Sequence, residues 1–304
     1  MPRSRYSGAR RSTATNRRRR PTRPARPRRR YVGRTRRWVR RRPMSRRSLL
    51  NTTSRKKNDT MLTWGNITVA NPVGGTAFSP AAPVLVGNQQ YVIPWCATTR
   101  DLNNSVGGAN IVINRAERTA TTCYMRGLAE RVRIQTTDGM PWQWRRVCFT
   151  LKGPSIRNLS DSTHTISTET SPGGWRRNVS NWSNIGGLTE FMFRGTVDVD
   201  WNDYYSAPLD TTRISVMYDR IRTIAAGNEQ GCARTYKMWH PMNHNLVYDD
   251  DENGDGEVTG SVSTPGKPGM GDYYVVDFFL ARSGSTSTNR LIFNPEASLY
   301  WHEK

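Results

Sequence analysis

From about residue 60 onward the chain follows a two-residue period. β-branched and aromatic side chains alternate with polar ones, and Gly, Pro, Asn and Asp interrupt the alternation. Strands are expected near 60–70, 90–98, 123–136, 142–152, 212–225, 233–248, 272–281 and 289–302. The stretches 123–136 and 142–152 flank Asp138-Gly139, a turn-forming dipeptide, and are expected to pair as a hairpin. No long helical period competes with them, although short helical turns fit near 154–160 and 184–194. The intervening segments 99–122, 153–190 and 249–271 are longer than connection alone requires.

This pattern predicts an all-β body over residues 58–304. Its expected form is a single eight-stranded antiparallel jelly roll with long surface loops. The first 57 residues show no such period. Their apolar side chains are scattered (Tyr6, Tyr31, Trp38, Leu49, Leu50), and prolines at 2, 21, 24, 27 and 43 oppose a helix.

Charge separates the two regions further. The chain carries a formal charge of +22 from 46 Lys+Arg and 24 Asp+Glu. Residues 1–57 hold 24 of the basic groups and no acid, and the first carboxylate is Asp59. The rest of the chain is left with 22 basic and 24 acidic groups, so a near-neutral body carries a cationic arm. Such a segment buries too little apolar surface to offset chain entropy, and disorder is expected of residues 1–57 until they meet a polyanion.

Within the arm, Arg outnumbers Lys by 22 to 2. Guanidinium grips phosphate bidentately and stacks on bases, where Lys offers a point charge. The expected nucleic-acid contacts are Arg17, Arg18, Arg19, Arg20, Arg28, Arg29, Arg30, Arg34, Arg36, Arg37, Arg40, Arg41, Arg42, Arg46 and Arg47. Trp38, set among them, is placed to stack on unpaired bases. Nothing in their spacing supports groove reading, so binding is expected to be strong, salt-dependent and blind to sequence. Arg40, Arg41, Arg42, Arg46 and Arg47, and then Arg55, Lys56 and Lys57, also form clusters of the kind nuclear-import receptors recognise. In the body, Arg131, Arg133, Arg145 and Arg146 fall on the predicted hairpin. They line a surface facing nucleic acid or are salt-bridged on a sheet face by Glu130, Asp219 and similar acids; the sequence leaves both readings open.

Other chemistry is sparse. Cys96, Cys123, Cys148 and Cys232 form no CxxC pair and read as buried thiols. Cys232 with His240 and His244 is half a zinc site without a fourth ligand. Asp251, Asn253 and Asp255 open like a calcium loop, but its twelfth position is Val262 where the bidentate Glu belongs. Six acids between Asp249 and Glu257 fit a flexible acidic loop equally well. No phosphate loop, HExxH or GxSxG is present, so no enzyme, cofactor or resident metal is expected. No run nears the roughly eighteen apolar residues of a membrane helix, and the N-terminus lacks a signal-peptide core, so membrane insertion is not expected.

An Arg-rich arm ahead of a β-rich body resembles the capsid proteins of small circular single-stranded DNA viruses. The likeness is carried by MPRSRYSGARRS, RRRYVGRTRRWVRRRPMSRRS, CYMRGLAERVRIQTTDGMPWQWRRVCFTLKG and NRLIFNPEASLYWHEK, and it spans essentially the whole chain. These stretches resemble genomovirus (gemycircularvirus) capsid proteins, and the layout more distantly resembles geminivirus coat proteins. The resemblance implies a jelly roll that assembles with itself, about sixty copies to a closed icosahedral shell, around circular single-stranded DNA. It also implies entry into the host nucleus through the arm, contact with an import receptor there, and a final place in the virion. About sixty arms would carry roughly 1,440 charges, enough for about 2,000 nucleotides at about 0.7 counterion per phosphate. The alternative is a cellular nucleic-acid-binding structural protein with a β-rich body.

Overall fold

The computed structural model describes residues 44–304. Two of its elements precede residue 62: α1 (Arg46–Thr53) and β1 (Arg55–Met61). Next come β2 (Thr63–Gly65), β3 (Val84–Val86), β4 (Tyr91–Cys96), β5 (Thr122–Thr136) and β6 (Trp142–Leu151). A 3-10 turn at Arg157–Leu159 leads to β7 (Glu169–Thr170), β8 (Gly174–Trp175), β9 (Arg177–Val179) and α2 (Leu188–Met192). The chain closes with β10 (Ser215–Ile224), β11 (Ala233–Val247), β12 (Asp251–Asn253), β13 (Gly256–Val258), β14 (Asp272–Ala281) and β15 (Arg290–Glu303).

The body is all-β. One sheet runs β1-β15-β5-β11, with β3 also on β15, and the other runs β10-β6-β14-β4. Every pairing within these two sheets is antiparallel. Seven of the eight expected strands are present near their expected places; the one expected near 60–70 is replaced by β1, which ends at Met61, and the short β2 (Thr63–Gly65). The short helical turns expected near 154–160 and 184–194 are the 3-10 turn and α2.

Two expectations change. The hairpin does not form: β5 pairs with β11 and β15, whereas β6 pairs with β10 and β14 in the other sheet. Neither Asp138 nor Gly139 adopts the positive φ that a two-residue hairpin turn requires. Instead Asp138 accepts from the Met140 N–H and from Asn289 Nδ2, and the corner turns the chain from one sheet to the other. The arm boundary also moves. Arg46–Lys304 forms one compact unit, so α1 and all of β1 belong to the body although the sequence grouped residues up to 57 with the arm. β1 is held there by seven register pairs with β15, from Arg55↔Glu303 to Met61↔Ala297.

The two sheets enclose two apolar clusters. Met61, Trp95, Cys123, Met125, Cys148, Leu246, Val275 and Trp301 fill one end, and Tyr91, Val132, Trp142, Trp144, Phe279 and Phe293 fill the other. A third cluster covers the outer side of the second sheet. There Val147, Phe149, Tyr274, Val276 and Phe278 meet Ile156, Ile166, Trp182, Leu188, Met192 and Phe193 from the long segment after β6. β14 is therefore buried on both faces, which explains its unbroken apolar run DYYVVDFFLA. No such cover lies on the first sheet among the described residues. β5 and β15 keep alternating buried and accessible positions along most of their length, the pattern of a sheet with one face toward water.

Candidate nucleic-acid interface

The open face of the first sheet carries cations in register. Arg133 on β5 lies opposite Thr235 of β11 and Asn294 of β15. One row along, Arg131 lies between Lys237 and Glu296. All three cations are exposed, and no carboxylate among the described residues lies within ion-pair distance of them. Further along come Trp239 opposite Ala129, and Tyr300 opposite Gly127. The two rings stand 5.8 Å apart, with 51% of Trp239 and 39% of Tyr300 exposed. Gly127 makes this packing feasible: a Cβ there would lie 2.6 Å from Trp239 Cζ2 and 2.6 Å from the His240 carbonyl. At the same end, burial, with Lys56 and Arg126 nearby, lowers the His302 pKa. Loss of water and two nearby cations thus disfavour a further positive charge at that spot.

Arg145 and Arg146 do not belong to this face, contrary to the nucleic-acid reading. Their strand, β6, is central in the covered sheet, and both guanidinium groups are buried and paired. Arg145 binds Asp219 through Nε (3.0 Å) and Nη2 (2.8 Å) and donates to the carbonyls of Tyr204 and Ala207. Arg146 points between the sheets, where Nε and Nη2 meet Asp277 at 2.7 and 2.8 Å and Nη1 meets Glu130 at 2.6 Å. Arg177 adds contacts to Asp277 (3.0 Å) and Glu130 (3.4 Å), and its guanidinium carbon lies 4.3 Å from the centre of the Trp95 ring. Trp144 Nε1 donates to Asp277, and His240 Nε2 lies 3.4 Å from Glu130. Two cations and two carboxylates thus cancel at the centre of the sandwich, with Glu130 from one sheet and Asp277 from the other. Burial pushes the Glu130 carboxyl up, but Arg146, the His240 hydrogen bond and Arg177 outweigh it and hold the group well below the usual carboxylate range.

The arm residues Arg17, Arg18, Arg19, Arg20, Arg28, Arg29, Arg30, Arg34, Arg36, Arg37, Trp38, Arg40, Arg41 and Arg42 lie outside the described residues, as does the disorder expected of residues 1–43. Arg46 and Arg47 sit on α1, where Arg46 is exposed. The basic cluster at the end of the arm is divided by β1. Arg55 and Lys56 are exposed, but Lys57 is buried. Its Nζ lies 3.3 Å from Glu303 and donates to the Glu117 carbonyl and the Thr119 hydroxyl. A receptor therefore cannot reach all three side chains while β1 stays paired.

The metal candidates do not come together. Asp251 and Asn253 stand on the exposed β12–β13 hairpin, where Asp251 faces Val258 and Asn253 faces Gly256. Cys232 is hydrogen-bonded to Thr136, His240 neighbours Cys148 at 3.9 Å, and His244 Nδ1 contacts the Met242 carbonyl at 2.7 Å. Among the described residues, no three His, Cys, Asp or Glu side chains gather in a metal-binding arrangement.

Sequence reasoning found Arg131 and Arg133 but missed Lys237, Trp239 and Tyr300. A signal for the aromatics was present. Trp239 is out of phase with its inward neighbours Met238 and His240, and Tyr300 falls between the buried Leu299 and Trp301. A large ring in the solvent phase of a half-buried strand calls for a reason other than core packing.

No protein-family model matches the chain, and no curated protein matches it.

Proposed function

We propose that this chain is the capsid protein of a small circular single-stranded DNA virus, of genomovirus type. In this reading the body tiles into a closed icosahedral shell and the Arg-rich arm neutralises the packaged genome. The observation that carries it is the segregation of charge: 24 cations and no acid in residues 1–57, against near-neutrality afterwards. A polycation of that density binds single strands by counterion release, without reading bases.

The strand order supports an eight-stranded jelly roll. In chain order β1, β4, β5, β6, β10, β11, β14 and β15 fall in the first, second, first, second, second, first, second and first sheet. Two interlocked Greek keys give that alternation. The asymmetry of the sandwich is also consistent with a shell subunit, since long loops cover one sheet, while the other, among the described residues, is open on one face and carries Arg131, Arg133 and Lys237 there. The open, cation-bearing face would line the interior with the genome. The basic clusters would serve nuclear import before assembly.

Electron microscopy of the purified full-length protein tests the assignment. Closed particles of uniform size that protect single-stranded DNA from nuclease are expected. Dispersed monomers at every ionic strength and concentration would refute the capsid reading and favour a cellular nucleic-acid-binding protein.

A further inference from the structure

We propose that Trp239 and Tyr300 form a stacking ledge for unpaired bases, flanked by Arg131, Arg133 and Lys237 that hold the phosphates of the same strand. The inference deepens the nucleic-acid reading of this face and names its ligand as single-stranded nucleic acid.

Trp239 has Ala129 as its register neighbour, and Tyr300 has Gly127 on β5 and Asn58 on β1, with Ser298 across from Ala129, so the positions beside the rings on β5 and β15 carry only small side chains. The rings are fixed rather than loose. They meet each other at 5.8 Å with planes inclined by 56°, and Trp239 fits against the missing Cβ of Gly127. Register shifts in both pairings of β5, between Pro241 and His244 and between Tyr300 and Trp301, fall together beside the pair, where β5 passes from Gly127 to Met125. Such irregularities re-aim side chains at functional sites. The cations lie in the next rows of the same face, about 7 Å per row.

The chemistry selects the ligand. Base–aromatic stacking tolerates any sequence because every base has a π face, and it requires the base to be unpaired. A duplex keeps its bases stacked and paired, so it offers this face its phosphates only. A flat, basic and aromatic sheet therefore suits a single strand.

The test uses the full-length protein and a 20-residue oligo-dT carrying 5-bromodeoxyuridine. After irradiation, adducts mapped by mass spectrometry are expected on Trp239 or Tyr300, beside any on Tyr31 and Trp38 of the arm. Adducts confined to the arm would overturn the ledge. In parallel, affinity for oligo-dT is compared with affinity for an abasic 20-mer, which keeps the phosphates and lacks the bases. The ratio should fall about tenfold in W239A/Y300A and survive largely intact in W239F/Y300F. An unchanged ratio in W239A/Y300A overturns the proposal, and loss of particles with that unchanged ratio would reassign the face to contact with a second copy. R131Q/R133Q/K237Q should flatten the salt dependence of oligo-dT binding by about 2 in log–log slope. Shells without the crosslink refute the ledge alone. The crosslink without shells refutes the capsid reading and leaves the ledge standing.

Discussion

At the scale of single residues, the largest commitment in the molecule is the ionic cluster of Glu130, Arg146, Arg177 and Asp277. Each guanidinium bridges both carboxylates, so deleting one acid leaves buried positive charge uncompensated. Glu130→Gln should destabilise the subunit by about 3–5 kcal/mol, read as a lower denaturant midpoint. Asp272 behaves in the opposite electrostatic sense. Burial raises its carboxyl to about 6, opposed by hydrogen bonds from Ser263 and Thr98. A folded-state value above the unfolded one means that the native state holds the extra proton between the two. The contribution of this group therefore declines as pH rises from about 4 to about 6. Glu130, with its lowered value, contributes stability above its unfolded value and loses it as the solution is acidified below about 4.5. The unfolding free energy of Asp272→Asn, measured against the native chain, should move in favour of the variant across pH 4–6. A difference that does not vary with pH would remove Asp272 as the titrating group.

At the scale of elements, β5 is where the sheet face is shaped. Gly127 lets the strand pass beneath Trp239, and Gly127→Ala should cost about 1–3 kcal/mol by overpacking against the His240 carbonyl and the indole. Thermal melting of the unassembled variant checks this. β1 bears on how the arm is to be removed. Deleting residues 1–57 would take away Arg55, Lys56 and Lys57, strip the upper register of the β1–β15 pair and leave buried Glu303 without its ammonium partner. That deletion is expected to give insoluble protein, whereas deletion of residues 1–43 should leave the body folded. Circular dichroism and solubility of the two truncations distinguish them. Equal folding of both would show that β1 adds little.

At the scale of the whole molecule, a polycation of 24 basic groups is joined to a nearly neutral body. In the capsid reading, shells of the 44–304 chain should form empty or with much reduced DNA, and their residual DNA binding should show a shallower salt dependence than that of the full chain. Nuclease-protected DNA per particle is the measure. Genome packaging at the native level without residues 1–43 would end the assignment of the arm.

Much of this was legible from the residues alone, for definite reasons. Strand positions follow from a local period of two, and the charge of the arm is simple composition. Neither depends on what the chain meets in space. The partner of each strand does depend on it. Asp138-Gly139 looks like a hairpin turn in isolation, yet the Asn289 side chain and the sheet-to-sheet corner use it otherwise. Arg131 and Arg146 look alike in sequence, but they lie on strands whose exposure is set by layers arriving from distant parts of the chain. Arg131 stands on the outer face of the first sheet, which no layer among the described residues covers, and meets water, while Arg146 points inward and meets Glu130 and Asp277 between the sheets. The sequence by itself determined which segments extend and where the charge lies. Only the tertiary structure decided which charges are free, because burial is a property of neighbours that the local pattern does not contain.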